Sequence, residues 1–321
     1  MEFRNFRTNC VFVAVSSSLL LLNFACSRSE NKTGEKPAPG KPKIALVMKS
    51  LANEFFSTMA DGAKKHQSAN PETYDLIVNG IKNETDLGEQ VNLVEQMIAQ
   101  RVNAIVIAPA DSKALVTVLR HAKDASILVI NIDNKLDAEV LKQAGLTVPF
   151  VGPDNREGAR KVGEALAKQI KAGDEVAIIE GIPTAFNGQQ RRLGFEDAMK
   201  NAGMKIVGVQ SGLWEMEKAN AVAAGMLSEH PQLKALLCAN DNMALGAVAA
   251  VQSASKTSTV LVVGFDNISA IKPMLEKGQV VATADQHADK LAVFGIEAVL
   301  KILKGDAPPG DQTTAVDLIT R

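Results

Sequence analysis

The sequence predicts an α/β protein built from two similar lobes, each a doubly wound parallel sheet. The first observation behind this fold class is that short apolar segments alternate with segments of helical periodicity from Lys43 onward. Apolar runs without polar alternation are typical of parallel strands that helices cover on both faces. The second is that the order of these segments repeats once within 321 residues, a length that suits two domains.

Ten apolar segments are predicted to form the strands of these lobes: KIALVM, YDLIVNG, AIVIAP, ILVINI, PFVGP, EVAIIEG, KIVGVQ, ALLCAN, VLVVGF and VVATAD. Segments with a period of 3.6 residues lie between most of them, for example 86–101 and 156–172, and a further helix is predicted over 290–304. This alternation of strand and helix is the pattern of parallel sheets with crossover helices.

The internal repeat is visible in matching segments. AIVIAPADSKALVTVL and ALLCANDNMALGAVAAV each contain a strand, a polar turn with an aspartate and an Ala/Leu/Val helix, while ILVINIDN and VLVVGFDN both end in Asp-Asn. The offsets are 132 between Ala45 and Ala177 (177 − 45), 130 between Asp111 and Asp241 (241 − 111), and 133 between Asp133 and Asp266 (266 − 133). A nearly constant offset indicates two lobes of the same design.

The repeat also predicts where the chain passes from one lobe to the other. We predict three crossings, near 151–154, 284–287 and 313–316, which together form a three-segment hinge with a ligand cleft between the lobes. The N-terminal lobe then comprises 43–152 with 287–313, and the C-terminal lobe comprises 153–286 with 314–321.

The first 42 residues are predicted to lie outside the lobes. An export signal is predicted over 1–25. It begins with the basic residues Arg4 and Arg7, continues with an apolar run over 11–22 and ends with Ala25 before Cys26. The apolar run is too short to span a membrane comfortably. The position of Cys26 resembles the lipidated cysteine of bacterial lipoproteins, although Asn23 stands where leucine is usual; an ordinary cleavage site nearby is the alternative. Residues 26–42, rich in Lys, Glu, Gly and Pro, are predicted to form a flexible tether.

Composition and motifs argue against several other classes of protein. A formal net charge of −1 provides no basic field for nucleic acid. A repressor of the lactose-repressor kind would need an N-terminal helix-turn-helix, where this chain has an export signal. For an enzyme, no G-x-G-x-x-G follows a strand and no G-x-S-x-G occurs. No disulfide is expected, since Cys238 is interpreted as a buried apolar residue. No metal or cofactor is expected either, since the four histidines lack metal-ligand spacing; they are His66, His121, His230 and His287.

Aromatic and polar side chains follow the predicted strands in both lobes, where ligands of open parallel sheets bind. Aromatic faces can cover the C–H face of a sugar ring, and fixed carboxylates, amides and cations can bind its hydroxyls. This combination favours a sugar site. For Asp111 and Asp241 the simpler alternative is that each caps a helix N-terminus.

Several motifs together carry a resemblance to a known family: LVMKSLANEFF, IAPADSKAL, NIDNK, PDNREGA, CANDNMALGA, VVGFDN and ATADQ. From about Lys43 to its end, the chain resembles the periplasmic sugar-binding proteins of ABC importers, in the ribose- and D-allose-binding-like branch. The resemblance implies the type I periplasmic-binding-protein fold and a monomer without enzymatic activity in the periplasm or cell envelope. Its partners would be a monosaccharide or small polyol and an ABC transporter permease. A ketose or polyol ligand and an additional chemotaxis or sensor partner remain open.

Carried over residue by residue, the ligand-binding positions of the family are Lys49, Asn53, Phe55, Phe56, Asp133, Asn134, Arg191, Trp214, Asn240, Phe265, Asp266 and Gln286. The resemblance implies that Phe55 and Phe56 oppose Trp214 across the sugar ring. The chain departs from the family where Glu54 replaces a proline and where Asp133-Asn134 replaces the Asp-Arg of the ribose-binding pattern. The ligand therefore need not be ribose or allose.

Overall fold

Twelve strands and ten helices make up residues 40–321, the part of the chain that the computed structural model describes. The strands are β1 (Lys43–Met48), β2 (Asp75–Gly80), β3 (Ala104–Ile107), β4 (Leu128–Ile132), β5 (Phe150–Pro153), β6 (Glu175–Glu180), β7 (Lys205–Ser211), β8 (Leu233–Cys238), β9 (Leu261–Val263), β10 (Val280–Asp285), β11 (Gln312–Thr314) and β12 (Asp317–Thr320). The helices are α1 (Glu54–Ala69), α2 (Leu87–Ala99), α3 (Val116–Asp124), α4 (Ala138–Gln143), α5 (Asn155–Ala167), α6 (Phe186–Asn201), α7 (Met216–Glu229), α8 (Asp241–Ser253), α9 (Lys272–Glu276) and α10 (Ala288–Leu303). The predicted signal peptide, Cys26 and most of the predicted tether lie outside the described residues.

The strands form two six-stranded sheets with matching topology. The first has the order β11-β5-β4-β3-β1-β2 and the second the order β12-β10-β9-β8-β6-β7. All strand pairs are parallel except that between β10 and β12. The predicted fold class of two similar parallel-sheet lobes is confirmed, whereas β11 and β12 were not predicted as strands.

The chain passes between the two sheets three times. It leaves the first sheet after β5, leaves the second after β10, and places β11 in the first sheet and β12 in the second. Helix α10 packs on α1, β3 and β4 and so lies against the first sheet. Three crossing segments that lie side by side allow the lobes to rotate about a common axis without unfolding either sheet.

Burial explains why the central strands have no polar alternation. Every residue of 44–48 in β1 and 104–107 in β3 has 0% exposure, because helices cover both faces of the sheet. Cys238 is likewise a buried free thiol at the end of β8. Within residues 40–321, no helix combines the length and the hydrophobicity that a membrane span requires.

Side-chain caps fix where several helices begin. Asn53 accepts a hydrogen bond from a backbone N–H in the first turn of α1, and Asn240 does the same for α8. The prediction that Asp241 caps this helix is wrong by one residue: Asp241 is the first residue of α8, and its carboxylate accepts instead from Ile268 N and Thr283 Oγ1. Asp111 caps the turn that leads into α3 rather than α3 itself.

Candidate ligand-binding site

A cavity of about 240 Å³ lies between the carboxyl ends of the two sheets. Both lobes contribute to its wall, as the sequence predicts for ligands of open parallel sheets. The lining residues are Lys49, Asn53, Phe55, Phe56, Glu84 and Asp133 from the first lobe, and Asn187, Arg191, Trp214, Asn240, Asp266 and Gln286 from the second. The structure thus brings ten of the twelve predicted site residues together at one cavity.

Aromatic rings from both lobes form part of the cavity wall. Phe55 and Phe56 are perpendicular neighbours, with ring centroids 5.1 Å apart and an interplanar angle of 82°. The ring centroids of Phe56 in the first lobe and Trp214 in the second each lie 5.5 Å from Lys49 Nζ, so one ammonium lies over an aromatic ring of each lobe. Gly181 makes room for the indole, because a Cβ at this position would lie 2.1 Å from Trp214 Cζ2.

Lys49 and Asp133 form a buried ion pair at the end of β1 and β4. The distance from Lys49 Nζ to Asp133 Oδ2 is 3.5 Å, and the side chains are only 3% and 1% exposed. Removing one partner of such a pair leaves an uncompensated buried charge, which is far more costly than breaking a surface pair.

Three cavity-lining residues have a backbone conformation that is rare for residues other than glycine. Asp133 has a φ of 62°, and Trp214 and Asp266 also have positive φ.

Arg191 is held rigidly on the second-lobe side of the cavity. Its Nε donates to Asn155 Oδ1 at 2.8 Å, and its Nη1 donates to Ala239 O at 2.9 Å and to Asp266 Oδ1 at 3.4 Å. The guanidinium also lies 3.9 Å from the ring centroid of Phe265. Burial lowers the pKa of Arg191, an effect that the Asp266 carboxylate opposes. With its position set by four neighbours, Arg191 presents a fixed cation to the cavity.

Two predicted residues, Asn134 and Phe265, do not line the cavity. Asn134 Nδ2 donates to Pro109 O at 2.9 Å, and Asn134 Oδ1 accepts from Asn187 N at 3.1 Å, so this amide joins the two lobes beside the cavity. Phe265 has 0% exposure and supports Arg191 from behind. Both residues therefore contribute to the shape of the site rather than to its surface.

Two lining residues, Glu84 and Asn187, were missed by the sequence analysis. Glu84 follows β2 in the polar segment KNETD, which has the composition of a solvated loop. In the structure its side chain is buried, and burial raises its pKa to about 7 while neighbouring Lys49 opposes the shift. Asn187 lies in the first turn of α6. The place of Glu84 just after the carboxyl end of a predicted strand was the signal that could have identified it.

Three buried polar atoms of cavity-lining residues have no hydrogen-bond partner within residues 40–321. They are the acceptors Glu84 Oε2 and Gln286 Oε1 and the donor Trp214 Nε1; a fourth atom, Asp133 Oδ2, makes only the ion pair with Lys49. An unsatisfied buried polar group costs about 1–3 kcal/mol, and such groups are rare in native proteins unless something else binds them. Within residues 40–321 no three metal-ligating side chains form a cluster. The arrangement matches a neutral ligand with several groups that both donate and accept hydrogen bonds.

Comparison with known proteins gives a consistent set of relatives. A family model described as the periplasmic binding protein domain matches residues 44–307. A D-ribose/D-allose-binding protein of Pseudomonas aeruginosa is 61% identical over 286 residues, covering 88% of this chain and 90% of that protein. The D-allose-binding periplasmic protein of Escherichia coli is 35% identical over 281 residues, covering 86% and 90%. An ABC transporter solute-binding protein of Actinobacillus succinogenes, solved with bound D-allose, has a TM-score of 0.81 and 37% identity, covering 87% of this chain and 98% of that one.

Proposed function

Because the chain belongs to the periplasmic binding protein family, we propose that it captures a monosaccharide in the cavity between its lobes and delivers it to an ABC importer. The observation that carries the proposal is the set of three buried polar atoms of cavity-lining residues that have no partner among residues 40–321: Glu84 Oε2, Gln286 Oε1 and Trp214 Nε1. Two of them accept and one donates, and sugar hydroxyls can satisfy both kinds because each hydroxyl is a donor and an acceptor.

The aromatic rings of the cavity wall favour a sugar. Phe56 and Trp214 offer faces that can cover the C–H surface of a pyranose or furanose from both lobes. The relatives named for D-ribose and D-allose point to an aldose. Ligand exchange requires the lobes to separate, since both line the enclosed site.

Isothermal titration calorimetry against a panel of aldoses, ketoses and polyols tests the proposal. We expect one sugar per protein for at least one aldose, with D-ribose and D-allose as the first candidates, and we expect chromatography to recover that sugar unchanged. Folded protein that produces no heat with any member of the panel would refute the sugar assignment. Conversion of the sugar during incubation would instead indicate an enzyme.

The membrane partners follow from the same role. We expect the loaded protein to stimulate ATP hydrolysis by the permease complex of its own importer in proteoliposomes, which unloaded protein should do more weakly. We also expect Cys26 to carry a lipid anchor, so that Cys26→Ser abolishes incorporation of labelled palmitate and releases the protein from the membrane fraction. Unchanged labelling of Cys26→Ser would contradict the anchor without affecting the sugar proposal.

A further inference from the structure

Glu84 has the features of a ligand-contacting residue. Its side chain is 2% exposed and lines the cavity, although it belongs to the loop after β2. Glu84 Oε1 accepts a hydrogen bond from Asn53 Nδ2 at 3.1 Å, whereas Glu84 Oε2 is buried and has no hydrogen-bond partner among residues 40–321. A structural hydrogen bond to Asn53 needs only one acceptor oxygen, and a neutral glutamine would supply it without the cost of burying a carboxyl group.

Both lobes hold Glu84 in place. Asn53 Oδ1 caps α1 by accepting from Phe55 N at 3.0 Å, which turns the amide so that Nδ2 faces Glu84. From the other lobe, Glu215 Oε1 accepts from the backbone N–H of Glu84 at 3.2 Å. In this arrangement of the lobes, the second lobe therefore holds the backbone of Glu84 and the first lobe holds its carboxylate.

The charges around Glu84 suit an acceptor of hydroxyl hydrogens. The charged groups that act on it are Lys49 just after β1, Asp133 just after β4 and Glu215 just before α7. Lys49 is also the ion-pair partner of Asp133, so the charge of one ammonium stabilises the ionised form of two neighbouring carboxyl groups. Burial raises the pKa of Glu84 to about 7, and a hydroxyl that donates to Oε2 would favour the ionised form.

We propose that Glu84 is a specificity-determining residue whose Oε2 accepts a hydrogen bond from one hydroxyl of the bound sugar, in the part of the cavity next to Asn53 and Lys49. This inference rests on the proposed function, and it adds a contact to the positions carried over from the family motifs. It predicts that the protein distinguishes sugars by the presence and orientation of that hydroxyl, because an unpaired buried acceptor penalises ligands that lack it.

The test is calorimetry of D-allose, D-ribose and the monodeoxy derivatives of D-allose with the full-length protein and three variants. Glu84→Ala should weaken binding about ten- to hundredfold, and the isosteric Glu84→Gln about three- to tenfold, because a charge-assisted hydrogen bond becomes a neutral one. The exposed Glu72, whose side chain is 87% exposed, supplies the matched control Glu72→Gln, which should bind as the wild type does.

The deoxy sugars separate a direct contact from a positioning role. For the wild type, one monodeoxy derivative should bind at least about tenfold more weakly than D-allose. For Glu84→Ala, the same derivative and D-allose should bind with equal affinity. If Glu84→Ala and Glu84→Gln keep wild-type affinity, or lose affinity equally for every deoxy sugar, the inference is wrong while sugar binding by the wild type stands. If the wild type binds another sugar of the calorimetry panel instead, the same comparison is made with the monodeoxy derivatives of that sugar. A wild type that binds no sugar of the panel would remove the proposed function and the inference with it.

Discussion

Glu54 forms a clasp between the lobes that depends on their being together. Its carboxylate accepts from Ser269 N at 2.6 Å and from Ala270 N at 3.4 Å, although Glu54 begins α1 in the first lobe and both donors lie before α9 in the second. A proline, which the family pattern has at this position, has no side-chain acceptor. The clasp is therefore a feature of this chain that should stabilise the closed arrangement.

The size of its effect follows from the two hydrogen bonds. Both lie near the surface, where a hydrogen bond to a carboxylate contributes about 0.5–1 kcal/mol after competition with water. Two of them give about 1–2 kcal/mol, so Glu54→Ala should raise the dissociation constant of the sugar about five- to thirtyfold. Glu54→Gln retains one acceptor oxygen and should have an intermediate effect.

Calorimetry and small-angle X-ray scattering together check this prediction. The wild type should become more compact on saturation with sugar, and Glu54→Ala should need more sugar to reach the same radius of gyration. Asp61→Ala is the matched control, because Asp61 lies on the exposed side of the same helix and pairs only with Lys64. The reasoning fails if Glu54→Ala binds sugar as tightly as Asp61→Ala does and compacts at the same sugar concentration.

Two further predictions concern the cavity itself. Asp133→Ala and Arg191→Ala should each weaken sugar binding about ten- to hundredfold, because each removes a buried charged partner. The control Lys113→Ala changes an exposed side chain and should bind sugar as the wild type does. If calorimetry gives Asp133→Ala the affinity of the wild type, Asp133 is a purely structural residue. Gly181→Ala should displace the Trp214 indole, since its Cβ would lie 2.1 Å from that ring, and overpacking should lower the free energy of unfolding by about 1–3 kcal/mol; an unchanged denaturation midpoint would contradict this packing.

The sequence predicts the central strands well because they are buried on both faces. All ten apolar segments are strands. Burial between helices requires apolar residues throughout β1 and β3, whereas the edge strands β2 and β7 are only partly buried and are recognised by their β-branched residues. β11 and β12 were missed since each is short, lies at a sheet edge and reads as polar or mixed, QTT and DLIT. Their pairing depends on where β5 and β10 lie in space, which local sequence patterns do not encode.

The site was predictable where a residue follows a strand directly and less so elsewhere. Asn134 was assigned to the site because it stands at the carboxyl end of a predicted strand. The positive φ of Asp133 turns the backbone there, and the Asn134 amide joins the lobes beside the cavity instead. Glu84 was missed because a glutamate in a polar loop has the pattern of a solvated residue, whereas its side chain is buried in the structure.

The most direct test of sugar capture between the lobes uses Trp214 as a reporter. It is the single tryptophan of the 321-residue chain, and it lines the cavity from the second lobe. Titration with the sugar that binds in calorimetry should change its fluorescence saturably with the same dissociation constant, and should protect it from iodide quenching. Calorimetric binding that leaves both the emission and the quenching of Trp214 unchanged would place the sugar outside this cavity and contradict the account.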